Sequence, residues 1–219
     1  MSSTKLGGYL LAIGPILMLI VMMGVWPAVV GTVSDDLLGQ DKIKAQMELA
    51  MENITVTRII ATLMGLGMIS LLTGYTFWAR SLQGDDKRGG ILGTVAALTL
   101  PVVIAAIMLS MDFHFAAADT WLNDDQSNAL IVATVGDSIA MASTFVWAFL
   151  FLGVGLTGLA ASLQATDTFT KSLGAIISVV AAVSLVINYS DIGGAGFIVF
   201  MIFIIVTVIS GINLIRKTV

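Results

Sequence analysis

Long apolar runs separated by short polar connections dominate the pattern of this 219-residue chain. A helix that crosses a bilayer needs about 20 mostly apolar residues, and six runs reach that length. They cover residues 7–33, 56–82, 91–118, 129–163, 172–190 and 194–215. Because hydrocarbon offers no hydrogen-bond partner to an open backbone, helices are the form expected for such runs. The pattern predicts an all-α fold, a six-helix bundle integral to a membrane and forming a single domain.

Two parts of the chain resemble each other in sequence. With a fixed offset, the following positions recur: Ser81-Leu82-Gln83 as Ser162-Leu163-Gln164, Leu71 as Leu152, Gly74 as Gly155, and Gly93 as Gly174. These matches favour two copies of one hairpin, made by helices 2–3 and helices 4–5 in the same orientation, as some transporters have. A chance match between apolar sequences is the alternative.

The connection at residues 34–55 is long enough to form a helix of its own. It carries an apolar stripe of Ile43, Met47, Ala50, Met51 and Ile54, with charged residues on the other faces. One interpretation is an amphipathic segment that lies at the outer interface or extends the second helix outward. The other is a docking face for a partner subunit, since methionine side chains adapt to varied surfaces.

The distribution of Lys and Arg predicts the orientation of the chain. Basic residues collect in the N-terminal tail, the second and fourth connections and the C-terminal tail: Lys5, Arg80, Lys87, Arg88, Lys171, Arg216 and Lys217. With six crossings all of these fall on one side, whereas the opposite connections are rich in acids. Loops rich in Lys and Arg stay in the cytoplasm, so both termini are predicted to be cytoplasmic.

Composition narrows the classes of function. Charged residues make up 11% of the chain, against about 25% in soluble domains, so lipid covers most of its surface. The absence of cysteine excludes disulfides, iron–sulfur clusters and attached c-type haem, and a single histidine excludes bis-histidine haem. We therefore expect no cofactor. The net charge of −4 provides no basic surface for nucleic acid.

Four ionisable residues lie in or beside the apolar runs: Arg58, Asp112, Asp137 and Asp191. Charges next to hydrocarbon are costly, so such residues are candidates for function. Helix arithmetic gives their depth. Arg58 precedes Arg80 by 22 residues, or about 33 Å of helix, in a bilayer core about 30 Å thick. Similar distances place all four at the outer interface, with no ionisable group left for a proton relay at the midplane.

Three uses of this outer cluster are open. The first is an ion pair of Arg58 with Asp137, or with Asp112, that fixes how the helix ends pack. The second is a cation or polar-ligand site, lined by Asp112, Asp137, Asn188, Tyr189 and Asp191. The third is a metal held by His114 and Asp112, although residues two apart point to nearly opposite faces of a helix.

The leading functional hypothesis is a non-catalytic scaffold or accessory subunit of a larger membrane complex. Its partners would be the lipid bilayer and either other membrane subunits or further copies of the chain. One alternative is a channel or transporter for small solutes or cations, with an acidic outer vestibule. A second alternative is a membrane metalloenzyme with a site on the outer face, although an enzyme is the less favoured class.

Overall fold

A computed structural model of the chain describes residues 2–34, 36–37, 39–123, 125–140, 144–190 and 195–217. The side chains of 140, 144, 145, 188–190 and 195 lie outside that description. Its helices are α1 (Ser3–Leu19), a π-helical segment (Ile20–Val25), α2 (Trp26–Val29), α3 (Gly39–Glu52), α4 (Ile54–Ser81), α5 (Gly90–Leu122), α6 (Gln126–Ala140), α7 (Thr144–Gln164), α8 (Thr168–Ser190) and α9 (Ala195–Lys217).

Six stretches of helix are long and apolar enough to cross a membrane. They are Ser3–Val29, Ile54–Ser81, Gly90–Leu122, Val146–Gln164, Thr168–Ile187 and Gly196–Lys217. This confirms the predicted all-α fold with six membrane helices, and the protein is a polytopic membrane protein.

Two predicted segments differ in detail from the observed helices. The fourth segment, 129–163, corresponds to two described helices, α6 and α7, and residues 141–143 between them are outside the described part. The third segment continues as helix beyond residue 118 to Leu122. At 33 residues α5 is about 50 Å long, so it is longer than the bilayer core is thick. The polar residues Asp119 and Thr120 that follow the apolar run continue the helix, because polar side chains do not by themselves end one.

The first membrane span contains a widened turn. The π-helical segment Ile20–Val25 leads into Trp26, whose backbone N–H donates to the carbonyl oxygen of Val21, five residues earlier. Pro27 follows directly, and a proline ring clashes with the carbonyl four residues before it in a regular α-helix. The wider π turn relieves that clash while the helix continues.

Contacts divide the chain into two compact units, each of which has its own core. The first unit contains Met1–Ile16, Gly67–Ile104 and Thr144–Val219. Its centre is Tyr75, whose ring stacks on Trp78 and Phe203 with centroids 6.0 and 6.1 Å apart. The buried hydroxyl of Tyr75 lies 2.7 Å from the Thr207 hydroxyl, so this polar pair is satisfied inside an apolar region.

Glycines let helices of the first unit approach closely. A Cβ on Gly174 of α8 would lie 2.5 Å from the carbonyl oxygen of Gly158 of α7, which excludes any larger residue without a shift of the helices. In the preceding hairpin a Cβ on Gly93 would lie 2.9 Å from the carbonyl oxygen of Ala79. Gly93 and Gly174 are equivalent in the predicted repeat, but their contact partners Ala79 and Gly158 are not, and the duplication stays a prediction.

The second unit contains Leu17–Leu66 and Ala105–Ser143. The segment predicted at 34–55 forms α3 here, and Met47 on its apolar stripe is buried against Ala117 and Ala133. Ile43 and Met51 pack at the edge of the same cluster. Three of the five residues of the stripe therefore pack against helices of the same chain, and docking of a partner subunit on the stripe stays a prediction.

Candidate functional site

Two side-chain bonds in the second unit join the helices that carry the suspected ionisable residues. Arg58, in the second turn of α4, pairs with Asp119 near the end of α5. His114 of α5 pairs with Asp137 of α6, with 3.0 Å between Nε2 and Oδ1. Each bond therefore ties α5 to a different helix, and together they form the candidate site.

The ion pair of Arg58 and Asp119 combines an exposed carboxylate with a guanidinium that is partly buried. Nη2 of Arg58 donates to the carboxylate of Asp119, whose side chain is 65% exposed. Nε of Arg58 is buried and has no hydrogen-bond partner among the described residues. An exposed ion pair contributes about 0–1 kcal/mol in water, so this bond alone holds the two helices only weakly.

The predicted partner of Arg58 was Asp137, whereas in the structure Arg58 pairs with Asp119 and Asp137 pairs with His114. Gly136 explains why α6 presents Asp137 to α5 instead of α4. A Cβ at Gly136 would lie 2.9 Å from Cβ of Phe113 and 3.0 Å from Nδ1 of His114, so the glycine lets the two helices touch. Asp137 then lies within reach of His114, and Asp119 is the acid that meets Arg58.

The bond between His114 and Asp137 requires a proton between the imidazole and the carboxyl group. Nδ1 of His114 lies 2.7 Å from the backbone oxygen of Ser110, which can only accept, so Nδ1 carries hydrogen. Nε2 faces Asp137, and that bond needs one further proton, on the imidazole or on the carboxyl. Both arrangements have no net charge, which lowers the cost of placing two ionisable groups at the end of a membrane helix.

Ser110 adds a second link between α5 and α6 that the sequence analysis missed. Its buried hydroxyl donates to the backbone oxygen of Gly136 over 2.8 Å. The spacing of four between Ser110 and His114 places both on one face of α5 and is the signal that points to this pair. Because the Ser110 hydroxyl bonds Gly136 and not the imidazole, the arrangement is not that of an activated serine nucleophile.

The remaining predicted ligands are brought together only in part. The side chain of Asp112 is exposed and takes part in no hydrogen bond or ion pair with the other described residues. Among the described residues, no group of three His, Asp or Glu side chains could hold a metal ion. Both ring nitrogens of His114 are already engaged, so a metal shared with Asp112 would have to displace one of these bonds. Asp191 and the side chains of Asn188 and Tyr189 lie outside the described residues.

A separate polar cluster lies in the first unit, where α8 begins and α9 ends. Asp167 caps α8 by accepting a hydrogen bond of 2.8 Å from the backbone N–H of Thr170. Lys217 also donates to Asp167, and this bond together with the cap lowers the pKa of the Asp167 carboxyl well below its usual range. Asn213 of α9 donates to the Thr170 hydroxyl over 2.9 Å. The cluster joins the start of α8 to the end of α9.

Comparison with known proteins adds no assignment: the chain matches no protein-family model, no curated protein and no solved structure.

Proposed function

We propose that this protein is a non-catalytic scaffold or accessory subunit that assembles with other membrane chains. One observation carries the proposal: the ionisable side chains of the candidate site bond to one another across helices. Arg58 is engaged by Asp119, and His114 by Asp137. A catalytic or transport site needs convergent polar groups that face an open space, whereas these groups are used to hold helices together.

The apolar surface of the spans supports assembly. Between 22% and 39% of the most apolar part of each span is buried within the chain, so the larger share is available to lipid or to other helices. On α9 the exposed residues include Ile198, Ile202, Ile205 and Ile209, all on one face. Helices of other chains can pack against such a face with little rearrangement.

Cross-linking at α9 tests the proposal. Ile205 is 53% exposed and its neighbour Ile204 is 2% exposed, so the two positions form a matched pair. A photoreactive amino acid at Ile205 should give a discrete larger species in native membranes, and one at Ile204 should not. Mild solubilisation should release a particle larger than one chain in detergent. A monomeric particle with no cross-link from Ile205 would contradict the proposal.

A cation pathway with an acidic vestibule is the second candidate, and the charge of the second unit favours it. By sequence this unit has ten Asp and Glu against three Lys and Arg, a net charge of −7. The exposed carboxylate of Asp112 would attract cations there. Liposomes that contain the purified protein separate the candidates. Cation flux that falls in an Asp112→Asn variant supports a pathway, and no flux above that of empty liposomes supports a subunit.

A further inference from the structure

A shallow depression lies on α4 beside Arg58. It is lined by Arg58, Ile59, Thr62 and Leu63 and has a volume of about 260 Å³. Pockets that enclose a drug-sized ligand measure about 300–1,000 Å³, so this one can hold only part of a larger molecule. Ile59 and Leu63 expose 57% and 39% of their surface, which gives the depression an apolar floor beside a guanidinium.

The position of Arg58 along α4 indicates which part of the bilayer surrounds the depression. Arg58 precedes Arg80 by 22 residues, or about 33 Å, so it lies at the headgroup level when Arg80 marks the opposite interface. Leu63 and Leu66 follow on the same face as Ile59, in the direction of the hydrocarbon. Leu66 is 51% exposed. The depression thus has a charged end among headgroups and an apolar strip that continues toward the acyl chains.

Opposite charges lie next to each other at the charged end. Arg58 uses Nη2 to bind Asp119, and a guanidinium has five N–H donors, so donors remain for an anion. The carboxylate of Asp119 has free acceptor positions and is 65% exposed. Thr62 contributes no free hydrogen, because its hydroxyl donates to the backbone oxygen of Arg58 over 2.8 Å. A ligand with one anionic and one cationic group matches this pair.

We propose that the depression binds a phospholipid with an ethanolamine headgroup. The phosphate meets the Arg58 guanidinium, the primary ammonium donates to Asp119, and one acyl chain lies along Ile59, Leu63 and Leu66. Charge selects this headgroup. A glycerol headgroup leaves the lipid with a net negative charge next to Asp119, in a unit whose net charge is −7. A choline headgroup has no N–H to donate to the carboxylate.

Native mass spectrometry of the full-length protein in mild detergent tests the site. The protein is titrated with phosphatidylethanolamine, phosphatidylglycerol or phosphatidylcholine of identical acyl chains. We expect one lipid per chain to be retained about tenfold more strongly with ethanolamine than with either other headgroup. Millimolar inorganic phosphate should leave the bound lipid in place, since the acyl chain and the ammonium contribute to binding. Displacement by phosphate, or equal retention of the three lipids, would overturn the proposal.

Variants assign the binding to the depression. Arg58→Gln should weaken retention of phosphatidylethanolamine about tenfold, because the charge-assisted bond to phosphate is lost. Leu63→Trp fills the floor while leaving the Arg58–Asp119 pair intact, and it should weaken retention to a similar extent. It also keeps the test valid if Arg58→Gln does not fold. Arg80→Gln removes an exposed charge from the other end of α4 and should change nothing. Wild-type retention in Leu63→Trp would refute the site.

Discussion

At the residue scale, the bond between His114 and Asp137 is the strongest candidate for a polar link that stabilises the second unit. Replacing either residue with alanine removes the bond and leaves its partner half-exposed, with side chains 42% and 32% exposed. We expect each replacement to lower the free energy of unfolding by about 1 kcal/mol, less than the about 1.5–3 kcal/mol of a buried charge-assisted hydrogen bond, because water reaches both side chains. Chemical unfolding of the purified protein in detergent measures this quantity.

The double variant His114→Ala/Asp137→Ala shows whether the two residues act as a pair. If they do, its destabilisation is smaller than the sum of the single effects, by about 1 kcal/mol. Asp112→Ala is the matched control on the same helix, since Asp112 is exposed and its removal should change stability by less than about 0.5 kcal/mol. Additive single effects would mean that the bond does not contribute.

The carboxyl of Asp167 offers a test by titration. Its pKa is lowered because Lys217 and the backbone N–H of Thr170 both donate to its charged form. A group with a lowered pKa stabilises the fold above its ordinary value of 3.8, and that contribution is lost as the pH falls through the lowered value. Carbon-13 NMR of labelled Asp should show titration of this carboxyl clearly below pH 3.8.

A Lys217→Gln variant should move the pKa of Asp167 upward, toward its ordinary value. The cap from Thr170 remains in that variant, so the return should be incomplete. Because the carboxyl is exposed, added salt should reduce the effect of Lys217 in the same direction. An unchanged pKa in Lys217→Gln would show that Lys217 does not bind Asp167 in solution.

At the element scale, the close approach of α7 and α8 depends on glycine. The Cβ added in Gly174→Ala would lie 2.5 Å from the carbonyl oxygen of Gly158, so the helices must separate. Overpacking of this kind costs about 1–3 kcal/mol. Gly24→Ala is the control in the first span, because nothing lies within 4 Å of the added methyl. Thermal unfolding should show a clear loss for the first variant and little change or a gain for the second.

The sequence was sufficient to predict the membrane helices but not their rotation about their axes. Apolar length sets where a helix crosses, so six spans and the helix at 34–55 were predictable. The partner of Arg58 was not, because a change of one residue turns a side chain by about 100° around the helix. Depth placed Arg58, Asp119 and Asp137 at one end of the membrane. Only the close packing at Gly136 decided that Asp137 meets His114.

At the scale of the whole molecule, the two units differ in the sign of their net charge. The first unit contains seven Lys and Arg against four Asp and Glu, a net charge of +3, whereas the second has a net charge of −7. Since basic loops are retained in the cytoplasm during insertion, we predict that both termini are cytoplasmic and that α3 lies on the opposite side. The sign of the charge, and not the packing within either unit, carries this prediction.

The chain has no cysteine, so single cysteines introduced on either side of the first span can be labelled to measure its orientation. A single cysteine at Ser2 or at Gln46 of α3 lies at an exposed position in each case. An impermeant maleimide applied to intact cells should label Gln46→Cys and spare Ser2→Cys until the membrane is permeabilised. Labelling of Ser2→Cys alone would show the reverse orientation, and labelling of both in intact cells would show that the first span does not cross the membrane. Because the labels report on positions and not on activity, the result does not depend on what the protein does in the membrane.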